Sequence, residues 1–339
     1  MAYRRVRQIN MPVFTNSTLR ALTCIALLSS PLLSQRDAAA QNYPAKSVRI
    51  IVPQSAGGST DFAARAVAQK LTESLKENFL VDNRPGAGSI NGTDAVAKAP
   101  PDGYTLLAVA ASFTINPSLH AKLPFDPVRD FAAVTQLAGL PHLLVVHPSM
   151  PVKSVKELIA VAKSKPGEIN YASSGIATST HLAAELFMYM TGTRMINVPY
   201  KGGAPAMIAM LSGECQVNFA TISTALPHAR AGKLRGLAVT SVKRSIAAPE
   251  FPSVSEAGVA GYEHNSWVGV LAPAKTPPVI IERLNSEIAR IVQLQDVKAL
   301  LLREGLESAG NPSKEFDAII KAEVAKWLKL TKAAGIKSQ

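Results

Sequence analysis

Apolar and polar positions along the chain follow two rhythms, and each change of rhythm marks an element. Residues 48–52, Val-Arg-Ile-Ile-Val, read as a strand. Residues 61–75 then place Ala64, Val67, Ala68, Leu71 and Leu75 on one helical stripe. Residues 79–81 are strand-like, and Asp82-Asn83-Arg84-Pro85-Gly86 is a turn. A short helix over 90–98 stops before Pro100-Pro101, and 104–110 is a strand again. This β-α-β-α-β order predicts a mostly parallel sheet with helices on both faces. The pattern restarts with strands at 143–146, 169–172, 195–198, 217–221 and 237–239. Between them lie a helix capped by Ser154 and helical stretches at 181–190 and 205–211. After Gly261 come one strand, 267–271, and three helices at about 279–293, 296–303 and 313–331. The last carries the stripe Phe316, Ile319, Ile320, Val324, Trp327 and Leu328.

Two α/β lobes are expected. The final helices are assigned to the first lobe, because one strand with three helices has no sheet of its own. The boundaries are then 41–139 plus 244–339 for lobe 1 and 140–243 for lobe 2. Two crossings between lobes make a hinge and a cleft, a favoured place for a small ligand.

The first 40 residues read as an export signal. Arg4, Arg5, Arg7 and Arg20 precede an apolar run over 21–33, and Ala38-Ala39-Ala40 offers a small-x-small cleavage pattern before Gln41. The run is far short of the roughly 20 apolar residues of a spanning helix. A periplasmic location, with cleavage after about Ala40, follows. The start (Met1 or Met11) and the export route (general secretory or twin-arginine) stay open.

Composition narrows the classes. Of 339 residues, 47% are apolar and 18% charged, which suits large cores rather than disorder. The net charge is +12, but the signal segment holds five arginines against one aspartate, so the surplus beyond it is smaller. With aromatics at 6% and no basic run interleaved with them, nucleic acid is excluded as a partner. Past residue 40 only Cys215 is left. It lies in an alternating stretch, so a buried structural thiol is favoured over a nucleophile.

Three strand-to-helix junctions carry candidate chemistry. The first is Pro53-Gln54-Ser55-Ala56-Gly57-Gly58-Ser59-Thr60-Asp61. Its glycines let the backbone turn sharply and approach a ligand. The first amides of a helix lack internal acceptors and favour an anion. Alone, this loop reads equally well as a tight turn, with Asp61 a simple cap. The second, Val198-Pro199-Tyr200-Lys201-Gly202-Gly203-Ala204-Pro205, repeats the pattern in the second lobe. There Lys201 is either a ligand contact or an exposed loop lysine. The third holds Ser173, Ser174, Thr178, Ser179 and Thr180, suited to carboxylate oxygens or to capping. Enzyme signatures fail. Gly86-Ala87-Gly88-Ser89-Ile90-Asn91-Gly92 is one residue too long for the dinucleotide fingerprint. His181 and Glu185 share a helical face without a second ligand pair. No cofactor, metal or catalytic residue is expected.

At these residues the chain resembles the periplasmic receptors of tripartite tricarboxylate transporters, the Bug or TctC-like proteins. The resemblance runs from about Tyr43 to Gly335. It rests on Ile51-Val52-Pro53 with Ala56-Gly57-Gly58 and Asp61, on Asn83-Arg84-Pro85-Gly86-Ala87-Gly88, and on Pro101-Asp102-Gly103-Tyr104-Thr105-Leu106. Ile115-Asn116-Pro117, Phe125-Asp126-Pro127, Val198-Pro199-Tyr200-Lys201-Gly202 and Ala231-Gly232-Lys233-Leu234-Arg235 complete it. It implies a two-lobed, type II-like periplasmic-binding-protein fold that closes on a small carboxylate. The implied contacts are Gln54, Ser55, Ala56, Gly57, Gly58, Ser59, Thr60 and Asp61 from the first loop, with Ser173, Ser174, Tyr200 and Lys201 opposite. Ser112, Thr114, Thr180, Gly202 and Thr221 complete the candidate set. Family members often carry an aromatic residue at Gln54 and an aspartate at Ala220. Without that acid a ligand ammonium lacks a partner, so a plain carboxylate is expected over an amino acid.

The function expected is therefore a non-catalytic, monomeric receptor that hands a carboxylate to membrane permease subunits. A ligand-dependent sensor docking on a membrane signalling protein, and an exported enzyme using Cys215 or His181, are the alternatives. Which carboxylate is bound is not readable from these residues.

Overall fold

The computed structural model describes residues 43–176 and 178–333. The proposed signal segment lies outside them. The chain divides into Met1–Ala45 and Lys46–Gln339, and the second unit holds the elements described below. Among the described residues no helix is long and apolar enough to cross a membrane.

The first half of the sheet grows from β1 (Val48–Val52), α1 (Ser59–Leu75), β2 (Phe79–Asn83), α2 (Ile90–Ala97) and β3 (Thr105–Ala110). β1 pairs in parallel with β2 and with β3, as the βαβ rhythm predicts. Next come α3 (Ser112–Leu119) and the long β4 (Phe131–Val146). At about 3.3 Å per residue, the 16 residues of β4 cross the whole sheet. Its first part pairs with β9 (Asn265–Pro273) as far as Pro141, and from His142 onward it pairs with β7 (Val217–Thr221) and β8 (Arg235–Val239). The second half adds α4 (Val155–Ser164), β5 (Asn170–Ser173), α5 (Ser179–Thr191), β6 (Ile196–Pro199), α6 (Gly203–Ser212) and α7 (Ile222–Arg230). There β5 runs parallel to β6 and β7.

The sheet is thus mixed rather than mostly parallel. Both flanks are parallel βαβ units, but β9 is antiparallel to β3 and β4, and β4 is antiparallel to β7 and β8. Residues 131–141 escape the alternation rule because register shifts at Ala133/Thr135 and Gln136/Ala138 break the period of two. α3 and α7 escape it because each carries an internal proline, Pro117 and Pro227.

The remaining elements are α8 (Pro278–Val292), α9 (Gln295–Arg303), β10 (Glu307–Ser308) and α10 (Ser313–Ala333). The buried face of α10 is Phe316, Ile320, Glu323, Trp327 and Leu330. Phe316 and Ile320 join the core of the first half, with Trp267, Phe113 and Phe131. Trp327 and Leu330 join the core of the second half, with Phe187, Phe219 and Tyr262. One helix therefore packs on both cores. Glu323 interrupts its apolar face: its Oε2 accepts from Trp267 Nε1 at 2.8 Å and lies 2.9 Å from Thr114 Oγ1.

The packing at Phe316 gives a direct test. Its ring stacks edge-on to Trp267 at 5.0 Å and fills the space where a Cβ on Gly269 would stand. Gly269→Ala is expected to destabilise by about 1–3 kcal/mol through overpacking, read as a lowered Tm in thermal denaturation. An unchanged Tm would mean that the ring has room to yield.

Candidate functional site

Four strand-to-helix junctions meet at one cavity of about 550 Å³. Gly57, Gly58 and Ser59 come from the start of α1, and Ser174 and Thr180 from the start of α5. Gly203 and Ala204 open α6, and Thr221, Ser223 and Thr224 open α7. Leu140, where β4 passes between the two halves of the sheet, and Asn218 and Ala220 on β7 also line the space.

These four helices, like α2, α3, α8 and α9 and unlike α4, start without a side-chain cap, and what sets them apart is that they meet at one cavity. In α4, Ser154 Oγ accepts from the Glu157 amide at 3.2 Å and caps the helix. At Gly58, Thr178, Gly202 and Thr221 no side chain caps the first turn. Amides left without a cap, together with the helix dipole, favour an anion. At roughly 1 kcal/mol for each helix end, four ends together stabilise one by on the order of 4 kcal/mol. Among the described residues no charged side chain lines the cavity, so this preference rests on backbone and hydroxyl dipoles. A larger hollow of about 700 Å³ lies around Pro117, His120 and Phe125, with Asp126, Arg129 and Asp130 in its wall and Arg129 paired to Asp126 at 2.7 Å.

The first junction is built from within. Gly57 takes φ +86, in the left-handed region, and its amide donates to Asp61 Oδ2 at 2.9 Å. Arg65 Nε donates to the same carboxylate at 3.0 Å. Burial alone would raise the Asp61 pKa, but Arg65, the Gly57 amide and Asn83 outweigh it and hold the carboxyl below its usual range. Asp61 therefore closes the loop, and with Thr60 it is buried outside the cavity wall. Gln54 is half-buried, its carbonyl accepting from Asn83 Nδ2, while Ser55 and Ala56 are exposed beside the turn. In the glycine repeat that follows β2, a Cβ on Gly92 would strike Pro53 and the Arg84 carbonyl. That glycine serves close packing.

The other candidates divide. Ser174 Oγ lies 2.9 Å from Thr180 Oγ1, which also accepts from the Ser174 amide at 2.8 Å. Thr221 and Thr224 pair their hydroxyls at 2.8 Å. Ser173 is buried and donates to the Gly175 carbonyl at 3.3 Å. Gly202, whose amide donates to the Ser174 carbonyl at 3.1 Å, ties the second and third junctions together. Tyr200 does not line the cavity, since its hydroxyl donates to Glu214 Oε1 at 2.7 Å. Lys201 is exposed and also outside the wall. Ser112 and Thr114 are displaced as well: Thr114 is fully buried against Ala111 and Glu323. Gly203 and Ala204 come from the second junction, whereas Ala206, Leu140, Asn218, Ser223 and Thr224 line the wall without having been singled out as contacts. A readable sign of the last two was the hydroxyl-rich junction Thr221-Ile222-Ser223-Thr224 after a strand, masked by Pro227.

Neither reactive candidate faces the cavity. His181 is buried, its Nε2 3.4 Å from Glu185 Oε1, and Tyr171 donates to the same carboxylate at 2.8 Å. Cys215 is fully buried with its Sγ 3.5 Å from the Tyr200 hydroxyl, and burial pushes its thiol pKa up. Since the thiolate is the reactive form, Cys215 is expected to resist a polar alkylating reagent in the folded protein and to react after denaturation. Peptide mapping of the alkylated residue checks this, and rapid labelling of the native protein would contradict it.

The chain is similar in sequence and fold to a known receptor family. Residues 63–336 match the model of the tripartite tricarboxylate transporter family receptor. Protein BugT of Bordetella pertussis is 35% identical over 300 residues, 88% of this chain and 92% of that protein. Among solved structures, Rpa4515 of R. palustris, determined with adipate, is 36% identical with a TM-score of 0.72, covering 88% of this chain and 100% of that one. The periplasmic binding protein BugD is 31% identical with a TM-score of 0.69, covering 88% and 100%.

Proposed function

The chain belongs to the tripartite tricarboxylate transporter receptor family, and from that premise we propose that it captures a small carboxylate in the periplasm, closes on it, and delivers it to a membrane permease. The observation that carries this reading is the set of four uncapped helix starts around one uncharged cavity. A carboxylate there is stabilised by fixed dipoles and is paired with no opposite charge, which suits reversible capture. Adipate in Rpa4515 is a carboxylate on the same fold. Among the described residues the wall offers no histidine, cysteine, lysine or carboxylate to move a proton, so the reading is of a receptor that leaves its ligand unchanged. The export signal over 1–40, cleavage near Ala40 and a monomeric state belong to the same proposal.

The placement of the wall residues supports closure. Gly57, Gly58 and Ser59 belong to the first half of the sheet, and most of the others to the second. A ligand drives closure only through contacts stronger in the closed form, and a guest touching both sets supplies them. Residues 140–243 would then move as one lobe against 41–139 and 244–339. Supporting this division, β4 leaves β9 at Pro141 and meets β7 from His142.

A thermal-shift screen of carboxylates tests the binding. At about 100 times Kd a ligand adds about 2.7 kcal/mol, a Tm rise of roughly 4 °C for a protein of this size. Small-angle scattering with the best ligand is expected to show a smaller radius of gyration. Tight binding at constant radius would remove closure, and a flat screen would remove the carboxylate.

A further inference from the structure

Asn218 stands apart from the rest of the cavity wall. It is 2% exposed, and its Oδ1 is buried without a hydrogen-bond partner. Among the described residues, other buried side-chain atoms lack partners too, but none of those residues lines this cavity. The hydroxyls of Ser174, Thr180, Thr221 and Thr224 are already engaged with one another. Leaving an amide oxygen unpaired in the interior is costly, and a valine or leucine would fit a strand at that position without the cost. Along β7, side chains two apart share a face, which puts Asn218 beside Ala220, and both line the cavity. The small Ala220 side chain leaves room next to the carboxamide.

The helix starts supply hydrogen-bond donors in excess. Their amides supply no acceptor, and among the acceptors in the wall, the serine and threonine hydroxyls included, the Asn218 Oδ1 is buried without a partner. A bare carboxylate carries only acceptors, so it satisfies the helix amides and leaves Asn218 Oδ1 unpaired. A hydroxyl on the carbon chain donates to Oδ1. We propose that Asn218 makes the cavity selective for hydroxycarboxylates over the corresponding unsubstituted acids. This rests on the carboxylate-receptor reading above and names its substrate class more narrowly. A neutral amide, with Ala220 beside it, also accepts a hydroxyl without holding an ammonium as a carboxylate would.

Calorimetry on the whole exported protein tests it, using matched acids that differ by one hydroxyl: lactate with propionate, malate with succinate, 4-hydroxybenzoate with benzoate. In at least one pair the hydroxylated acid is expected to bind tenfold tighter or more. In Asn218→Leu, which keeps the side-chain size, that ratio is expected to fall below threefold, with Tm recorded to show that the variant folds. If Asn218→Leu does not fold, Asn218→Ser, which keeps a shorter polar side chain, is expected to lower the ratio by at least threefold. Ratios below tenfold in every pair that binds, or a ratio unchanged in the folded variants, overturn the selectivity while leaving a carboxylate receptor in place. Failure of every acid in the panel to bind overturns both readings together.

Discussion

Replacing Gly203 by leucine is expected to abolish carboxylate binding while leaving the protein as stable as before. Gly203 is the first residue of α6 and lines the cavity, and a Cβ built on it meets no protein atom within 4 Å. The added side chain therefore grows into the space the ligand needs, not into the core. Glycine is a poor helix residue and leucine a good one, so the backbone gains slightly, by up to about 0.5 kcal/mol. The loss of binding is large because an isobutyl group in the cavity mouth excludes the carboxylate from the amides of α6 and blocks approach to the other helix starts. Affinity is expected to fall at least a hundredfold, about 2.7 kcal/mol, with Tm unchanged or slightly raised. Gly57→Val is the contrasting case. Its Cβ also meets nothing, but φ is +86, where a β-branched residue is strained. That variant is expected to lose both binding and stability. Calorimetry and thermal denaturation on the two proteins separate the effects. Retained affinity in Gly203→Leu would move the ligand elsewhere.

Acidification from pH 7.5 to 5 is expected to destabilise the protein through a histidine pair where the sheet halves join. His142 follows Pro141 on β4, and His264 immediately precedes β9. Their rings stand 5.3 Å apart, both buried. Thr240 joins their backbones: its amide donates to the His142 carbonyl at 2.9 Å, and its carbonyl accepts from the His264 amide at 2.9 Å. His264 Nε2 lies 2.7 Å from Ser179 Oγ, and the Trp327 ring meets His264 edge-on at 5.4 Å, with the Lys326 ammonium over that indole. Burial lowers the His142 pKa to about 4. Burial, then the neighbouring His142 and Lys326 charges, hold His264 well below its usual value. Both rings are therefore neutral in the folded protein at pH 7.

The unfolded chain takes up protons on these residues near pH 6.5. Between 6.5 and about 4 it binds more protons than the folded protein, so stability is full above that window and falls as the pH drops through it. For His142 alone, acidification to pH 5 costs on the order of 2 kcal/mol. Burial raises the pKa of Glu323, which pulls the other way, so the variant His142→Phe isolates the ring. Its Tm is expected to change less between pH 7.5 and 5 than that of the parent. Equal slopes in the two proteins would acquit His142.

Legibility in the sequence varied with the range of the interaction involved. β1 and β7 were readable to the residue, because a run such as Val-Arg-Ile-Ile-Val has a strand's composition and clear turn signals after it. The amphipathic α8 and α10 were readable within a few residues for the same local reason. Residues 131–141 were not, since alanines, Gly139, Pro141 and two register shifts hide a strand whose pairing with β9 is its main support. At the site, the glycine turns at 57–58 and 202–203 were visible as helix starts. Tyr200 was drawn to Glu214 instead, a partner fourteen residues away, and Asn218 looked like one more alternating strand position.

The sequence by itself determined the elements, the glycine-marked helix starts and the family, because these depend on neighbours along the chain and on ordered motifs. Only the tertiary structure decided that four of those starts meet at one cavity, that Asp61 and Thr114 spend their polar atoms on internal partners, and that Asn218 is left without one. Hydrogen-bond satisfaction is a property of groups that folding brings together from distant positions. No local pattern records which of them will find a partner.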